Sequence, residues 1–146
     1  MKIDLWITME PQPKQRPRVK RNGHAYTPSE TMRAERMIRH EVMRAYPDLL
    51  PSKRDIGLCL DFYLPNHKRM DWDNLGKLVS DALNGIAYVD DSQILGCAVR
   101  KRYPDAKVQG LRGMRDRRSG DPLTYGGVPH DQGVRIFAYE MGNAGE

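Results

Sequence analysis

The chain has 146 residues, 39% of them hydrophobic, and a formal net charge of +5. That is one domain's worth of core, residues 1–146, and no apolar run approaches the roughly eighteen residues a membrane-spanning helix needs. The N-terminal stretch MKIDLWITMEPQPKQRPR has an acid inside its short apolar run and no small-residue cleavage site, so no signal peptide is expected and the chain reads as soluble and cytoplasmic.

Residues 3–9 alternate apolar and polar side chains, which predicts a half-buried strand. Pro11, Pro13 and Pro17 then forbid regular structure, leaving Pro-Lys-Gln-Arg-Pro-Arg as an extended basic segment. Asn22-Gly23 predicts a tight turn within a short hairpin. Thr27-Pro28-Ser29-Glu30 reads as a helix start, with Thr27 as cap, Pro28 in the first helical position and Glu30 closing a capping box. Ala34, Met37, Ile38, Val42 and Ala45 form its apolar face, and the helix should end near Tyr46.

Ile56 to Leu64 predicts a strand that buries either Ile56, Leu58, Leu60 and Phe62 or Cys59 and Tyr63. Leu75, Leu78, Val79, Ala82 and Ile86 mark a second amphipathic helix. Gln93 to Tyr103 predicts a further strand, apolar at its start and basic at its end, and Val134 to Met141 a last one. Between them, residues 104–132 are rich in Gly and Pro, carry Arg112, Arg115, Arg117 and Arg118, and show no period; a long mobile loop or insertion is expected. The sum is an α+β fold, a small mixed or antiparallel sheet of about four strands with two helices on one face. Cys59 and Cys97, outside any CxxC pattern, are expected as reduced, buried thiols, and the four His show no zinc-ligand spacing.

Charge is unevenly placed. Residues 1–54 carry 12 basic and 6 acidic side chains, residues 55–99 carry 3 and 7, residues 100–118 carry 8 and 2, and residues 119–146 carry 1 and 4. Two basic arms around an acidic centre suit a polyanionic partner, because each phosphate neutralised releases counterions. The candidate phosphate contacts are Lys14, Arg16, Arg18, Lys20 and Arg21 in the first arm, Lys68 and Arg69 in the polar loop, and Arg100, Lys101 and Arg102 on the basic strand end.

The acidic centre is MDWDNLGKLVSDALNGIAYVDDSQI, residues 70–94. Helical periodicity begins at Leu75, so Asp71-Trp72-Asp73 is expected to be extended, with Asp73 as N-cap and both carboxylates pointing one way. Asp73, Lys77 and Asp81 then fall on one helical stripe, and Asp90-Asp91 arrives at the next strand. One reading of these acids is a cap, an ion pair and a polar turn. A calcium loop fails, because its fifth and twelfth positions would be Leu75 and Ala82. A magnesium site, in which a few carboxylates hold a hard cation against phosphate, is the third. Chemistry alone leaves the first and third open.

DWDNLGKLVSDALNG followed by VDDSQI closely resembles the RusA family of Holliday-junction resolvases, with its D-x-D-N-L-x-K…D-A-L…D-D-x-Q pattern. PKQRPR, a short turn and YTPSE opening a helix are similar to the start of many members, so the resemblance covers roughly residues 1–103 and the final strand. It implies a homodimeric, Mg²⁺-dependent endonuclease that nicks four-way DNA symmetrically in recombination and repair, and a phage or prophage origin. By position it makes Asp71, Asp73 and Asp91 the essential, metal-binding carboxylates and Lys77 the functional lysine. Lys77 would add positive charge in the transition state or pair with Asp73, Asn74 would orient a carboxylate, and Asp90 would support the ligands or simply shape the turn. Residues 104–132 depart from the family pattern and bear on substrate preference. The competing functions are a non-catalytic nucleic-acid-binding module and a metal nuclease for other branched DNA.

Overall fold

Alternation of apolar and polar residues builds the sheet, and two helices close over its apolar face. The computed structural model describes residues 1–142. In chain order the elements are β1 (Lys2–Thr8), β2 (Arg18–Val19), β3 (Ala25–Tyr26), α1 (Ser29–Ala45), β4 (Ile56–Tyr63), α2 (Trp72–Ala82), a 3-10 turn (Asp91–Gln93), β5 (Ile94–Arg102), β6 (Lys107–Gly110), β7 (Gly113–Asp116), β8 (Thr124–Tyr125), β9 (Val128–Pro129) and β10 (Gly133–Glu140). The main sheet has four strands in the order β1-β10-β4-β5. β10 runs antiparallel to both neighbours and β4 is parallel to β5. Parallel neighbours need a crossover, and α2 supplies it. The fold is α+β, as expected, and no helix among the described residues is long and apolar enough to cross a membrane.

Ile56, Leu58, Leu60 and Phe62 are the inward set on β4, packed with Ile3, Ile7, Val134 and Ile136 from β1 and β10. Ala34, Ile38 and Val42 of α1 and Leu75, Leu78, Val79 and Ala82 of α2 complete the core. Several expectations are corrected. Pro28, with ψ of 144°, is extended and stands outside α1; its carbonyl accepts from Met32 N, and no side chain caps the helix, so the Thr27–Glu30 capping box does not form. Thr31 takes a core position on α1, while Met37 and Ala45 face solvent. Ile86 is buried but lies past the end of α2. Cys59 and Cys97 are free, yet exposed rather than buried, because Cys59 lies on the outer sheet face and β5 is an edge strand.

Residues 104–132 are not one irregular loop. They form two antiparallel hairpins, β6–β7 and β8–β9. Asp105 fastens the second hairpin, accepting from Thr124 Oγ1 at 2.8 Å, Gly126 N at 3.0 Å and Gly127 N at 2.8 Å. Asp121 fastens the first to the chain that follows, through a two-pronged pair with Arg115 at 2.8 and 3.0 Å and a bond from Arg118 N at 2.8 Å. These bonds to Arg115 and Arg118 hold the Asp121 carboxyl well below the usual range.

β10 opens on Gly133, opposite Thr8 and Tyr63. Its φ is +154°, and an added Cβ would lie 2.1 Å from the carbonyl oxygen of Ile7. Gly133→Ala is therefore expected to lower unfolding free energy by about 2–4 kcal/mol, since β1 must move from the sheet to admit it. Urea denaturation checks this; a midpoint equal to wild type would show that the β1–β10 register tolerates a methyl there.

Candidate active site

α2 carries most of the acidic motif, and it starts earlier than its periodicity suggests. Asp71, at φ −68° and ψ 129°, is the extended residue before the helix, so Trp72 and Asp73 lie in the first turn. Asp73 is thus not the N-cap, and the two aspartates do not share an extended segment. The positive end of the helix dipole accommodates acids at both positions, which is why either could have been the cap. Asn74 joins them: its Nδ2 donates to Asp71 Oδ2 at 3.3 Å, and its backbone N–H donates to Asp73 Oδ1 at 3.0 Å. One turn on, Gly76 packs against β5, where an added Cβ would lie 3.0 Å from Val99 Cγ2.

Asp91 comes from the other side of the cleft, and its neighbours fix it. Asp90 caps the 3-10 turn, accepting from Ser92 N at 3.2 Å, while Gln93 Oε1 accepts from Asp90 N at 2.9 Å. Gln93 Nε2 then donates to Ser52 O and Arg54 O, both at 2.8 Å, which ties the turn to the chain before β4. The bonds from Ser92 hold the Asp90 carboxyl below its usual range, and Asp90 shapes the turn that presents Asp91.

Lys77 meets Asp91 Oδ2 at 3.2 Å and Asp81 Oδ1 at 3.1 Å. Among the described residues its ion pairs are with these two rather than with Asp73. The bond to Asp81, followed by that to Asp91, raises the lysine pKa above its ordinary value against the opposing cost of burial. Asp73, Lys77 and Asp91 line one open cleft of about 240 Å³, with Trp72, Ser80 and Cys97 on its walls.

The donor chemistry of this cleft suits a hard cation: carboxylate oxygens and no soft ligand other than the exposed Cys97. Among the described residues, no group of three His, Cys, Asp or Glu side chains is gathered closely enough to hold one ion. Magnesium is commonly held by only one or two carboxylates, with waters and substrate phosphate completing the shell, and Asp73 and Asp91 across one cleft fit that requirement.

The basic residues divide. Arg16, Arg18, Lys20, Arg21, Lys68, Arg69 and Arg100 are exposed. Lys14 is engaged inside the protein, by Glu35 at 2.5 Å and Asp81 at 3.4 Å, and its backbone N–H donates to Asn74 O at 2.8 Å. The Pro-rich segment is thereby docked on the first turn of α2. Arg100, Lys101 and Arg102 cannot act together, since consecutive strand residues face opposite ways. Lys101 donates to Met70 O at 2.8 Å beside Asp71, whereas Arg102 is on the outer sheet face, paired with Asp61 at 2.9 and 3.0 Å. Arg100 lines that same outer face with Asp61 and Arg135.

Sequence reasoning missed what steadies the loop before Asp71. His67 stacks on Tyr103, with centroids 5.4 Å apart, and its Nε2 lies 2.7 Å from Pro104 O. A carbonyl only accepts, so Nε2 carries the proton. Tyr125, from the second hairpin, donates to Leu64 O at 2.7 Å. No periodic signal in the sequence marks such contacts.

A family profile described as Endodeoxyribonuclease RusA matches residues 8–109. No curated protein matches the chain.

Proposed function

The chain belongs to the RusA endodeoxyribonuclease family, and from that premise we propose that it is a Mg²⁺-dependent endonuclease that resolves four-way DNA junctions by paired phosphodiester hydrolysis. The observation that carries the reading is the meeting of Asp73, Lys77 and Asp91 in one open cleft, with exposed cations on the loops around it.

In this reading Asp73 and Asp91 would hold the ion, together with Asp71, which Asn74 keeps in place. Magnesium would supply an acidified water and charge neutralisation at the phosphate. Water adds to phosphorus and the bond to the 3′ oxygen breaks, leaving a 5′ phosphate and a 3′ hydroxyl. Lys77 offers its charge to the phosphoryl oxygens, where charge builds up. Arg16, Arg18, Lys20, Arg21, Lys68 and Arg69 position the backbone without reading sequence.

A four-way junction has two equivalent scissile phosphates, which a two-fold homodimer would serve together. The apolar stripe of α2 lies in the core and Trp6 packs on Tyr63 and His130. We assign that contact to the outer sheet face around Cys59, Ala98 and Phe137, which lines a cavity of about 490 Å³.

The absence of a gathered three-ligand set among the described residues favours a second reading, a non-catalytic DNA-binding module. One assay separates them. Labelled four-way, Y-shaped and linear DNA incubated with Mg²⁺, Ca²⁺ or EDTA should give nicks only with Mg²⁺ and mainly in the four-way substrate. Binding in EDTA without cleavage under any condition would establish the module instead.

A further inference from the structure

The β6–β7 hairpin ends in an exposed apolar tip on a hydrogen-bonded stem. Leu111 and Arg112 form its two-residue turn, closed by Gly113 at φ +108°. Leu111 is 107% exposed and Met114, beside it on the return strand, 62%. A single exposed apolar residue is ordinary; a pair of them at the end of a braced element is not. The stem is braced by the Arg115–Asp121 pair, by Arg117 N donating to Ala106 O at 2.8 Å, and by the cross-strand pair Lys107–Asp116 at 3.0 Å. With Arg115 so engaged and Arg117 donating to Asp121 O at 2.9 Å, the cation at the outer end is Arg112, in the turn itself.

Position argues for the partner. The hairpin leaves the sheet just after β5, at the end where Lys101 bonds Met70 O and His67 stacks on Tyr103. It thus grows from the end of the sheet that presents Asp71 and the exposed Lys68 and Arg69. Strands of four residues carry a tip roughly 13 Å from their base, enough to reach past a neighbouring phosphate.

We propose that the β6–β7 hairpin is a preformed DNA-contact arm: Arg112 meets backbone phosphate while Leu111 and Met114 rest against base faces laid open at a branch point. This deepens the nuclease reading and rests on it. An apolar side chain gains by covering a base face that has lost its stacking neighbour, and gains little on an intact duplex. A stem already ordered gives up little entropy on binding. The selectivity for branched DNA would then come from the tip and the strength of attraction from the cations.

The test is fluorescence anisotropy in EDTA, with a labelled four-way junction and a linear duplex of the same arm sequence. Leu111→Ser/Met114→Ser should bind the junction about tenfold more weakly, with its salt slope unchanged and duplex affinity nearly so. Arg112→Gln should lower the salt slope on both DNAs by roughly 0.9. All three side chains are exposed, so thermal unfolding should stay at the wild-type value and exclude misfolding as the cause. Wild-type junction affinity in the double variant, or equal losses on junction and duplex, would overturn the arm and leave the nuclease reading standing. A wild-type protein that binds neither DNA would overturn both.

Discussion

Asp73→Asn and Asp91→Asn enzymes are each expected to lose strand cleavage by on the order of 10³-fold or more while still binding junction DNA. Replacing a carboxylate by an amide keeps the shape and removes the charge that holds a hard cation and lowers the pKa of its water, an effect of several kcal/mol at about 1.4 kcal/mol per tenfold. In the proposed reading affinity for DNA comes from elsewhere, the exposed Arg16, Arg18 and loop cations, and loss of a negative charge near phosphate should tighten binding slightly. Asp71→Asn should behave alike, with one difference. Asp71 is bonded to Asn74 and stands outside the cleft shared by Asp73 and Asp91, so its loss should be partly recovered at high Mg²⁺. Gel-resolved single-turnover cleavage beside anisotropy measures both quantities. Wild-type turnover in any of the three would remove that residue from the chemistry.

Lys77→Met should lower the cleavage rate on the order of 10²-fold at saturating junction, with the dissociation constant for DNA nearly unchanged. The structural account of Lys77, as a tie between Asp81 and Asp91, predicts something else. Its side chain is more than half exposed, at 55%, and exposed ion pairs contribute about 0–1 kcal/mol, so the unfolding midpoint should barely move. Asp81→Asn is the control. If the tie alone mattered, Asp81→Asn would slow cleavage as much as Lys77→Met does. If the lysine charge acts on the phosphate, Asp81→Asn should be nearly silent. Lys77→Arg should rescue only in part, because a planar guanidinium cannot occupy the same point between two carboxylates.

The core was legible from residues alone. The alternation of Val134, Ile136 and Ala138 and the stripe of Leu75, Leu78, Val79 and Ala82 each admit one buried face, and the structure buries those faces. The start of α2 was not, since Asp71 and Asp73 are equally good caps; the structure puts Asp71 before the helix and Gly76 against Val99 of β5. The order within residues 104–132 was hidden for a different reason. Its strands are two to four residues long, too short for a period, and are held by the carboxylates of Asp105 and Asp121 rather than by a hydrophobic face. In the site, the D-x-D-N-L-x-K and D-D-x-Q spacings singled out residues of which Asp73, Lys77 and Asp91 line one cleft. Their physical sense needed three dimensions: Asn74 linking two aspartates, and Asp90 with Gln93 building the turn that brings Asp91 to Lys77.

Paired cleavage at this cleft is tested most directly with a supercoiled plasmid that extrudes a cruciform, treated with wild-type enzyme and Mg²⁺ and resolved by electrophoresis. Two opposed nicks made during one encounter convert the plasmid to linear form, and linear product is expected with wild type, absent with Asp91→Asn, and absent when Ca²⁺ replaces Mg²⁺. A plasmid that stays supercoiled with wild-type enzyme and Mg²⁺, or is cut equally when it lacks the cruciform, would contradict the assignment of a junction-resolving endonuclease.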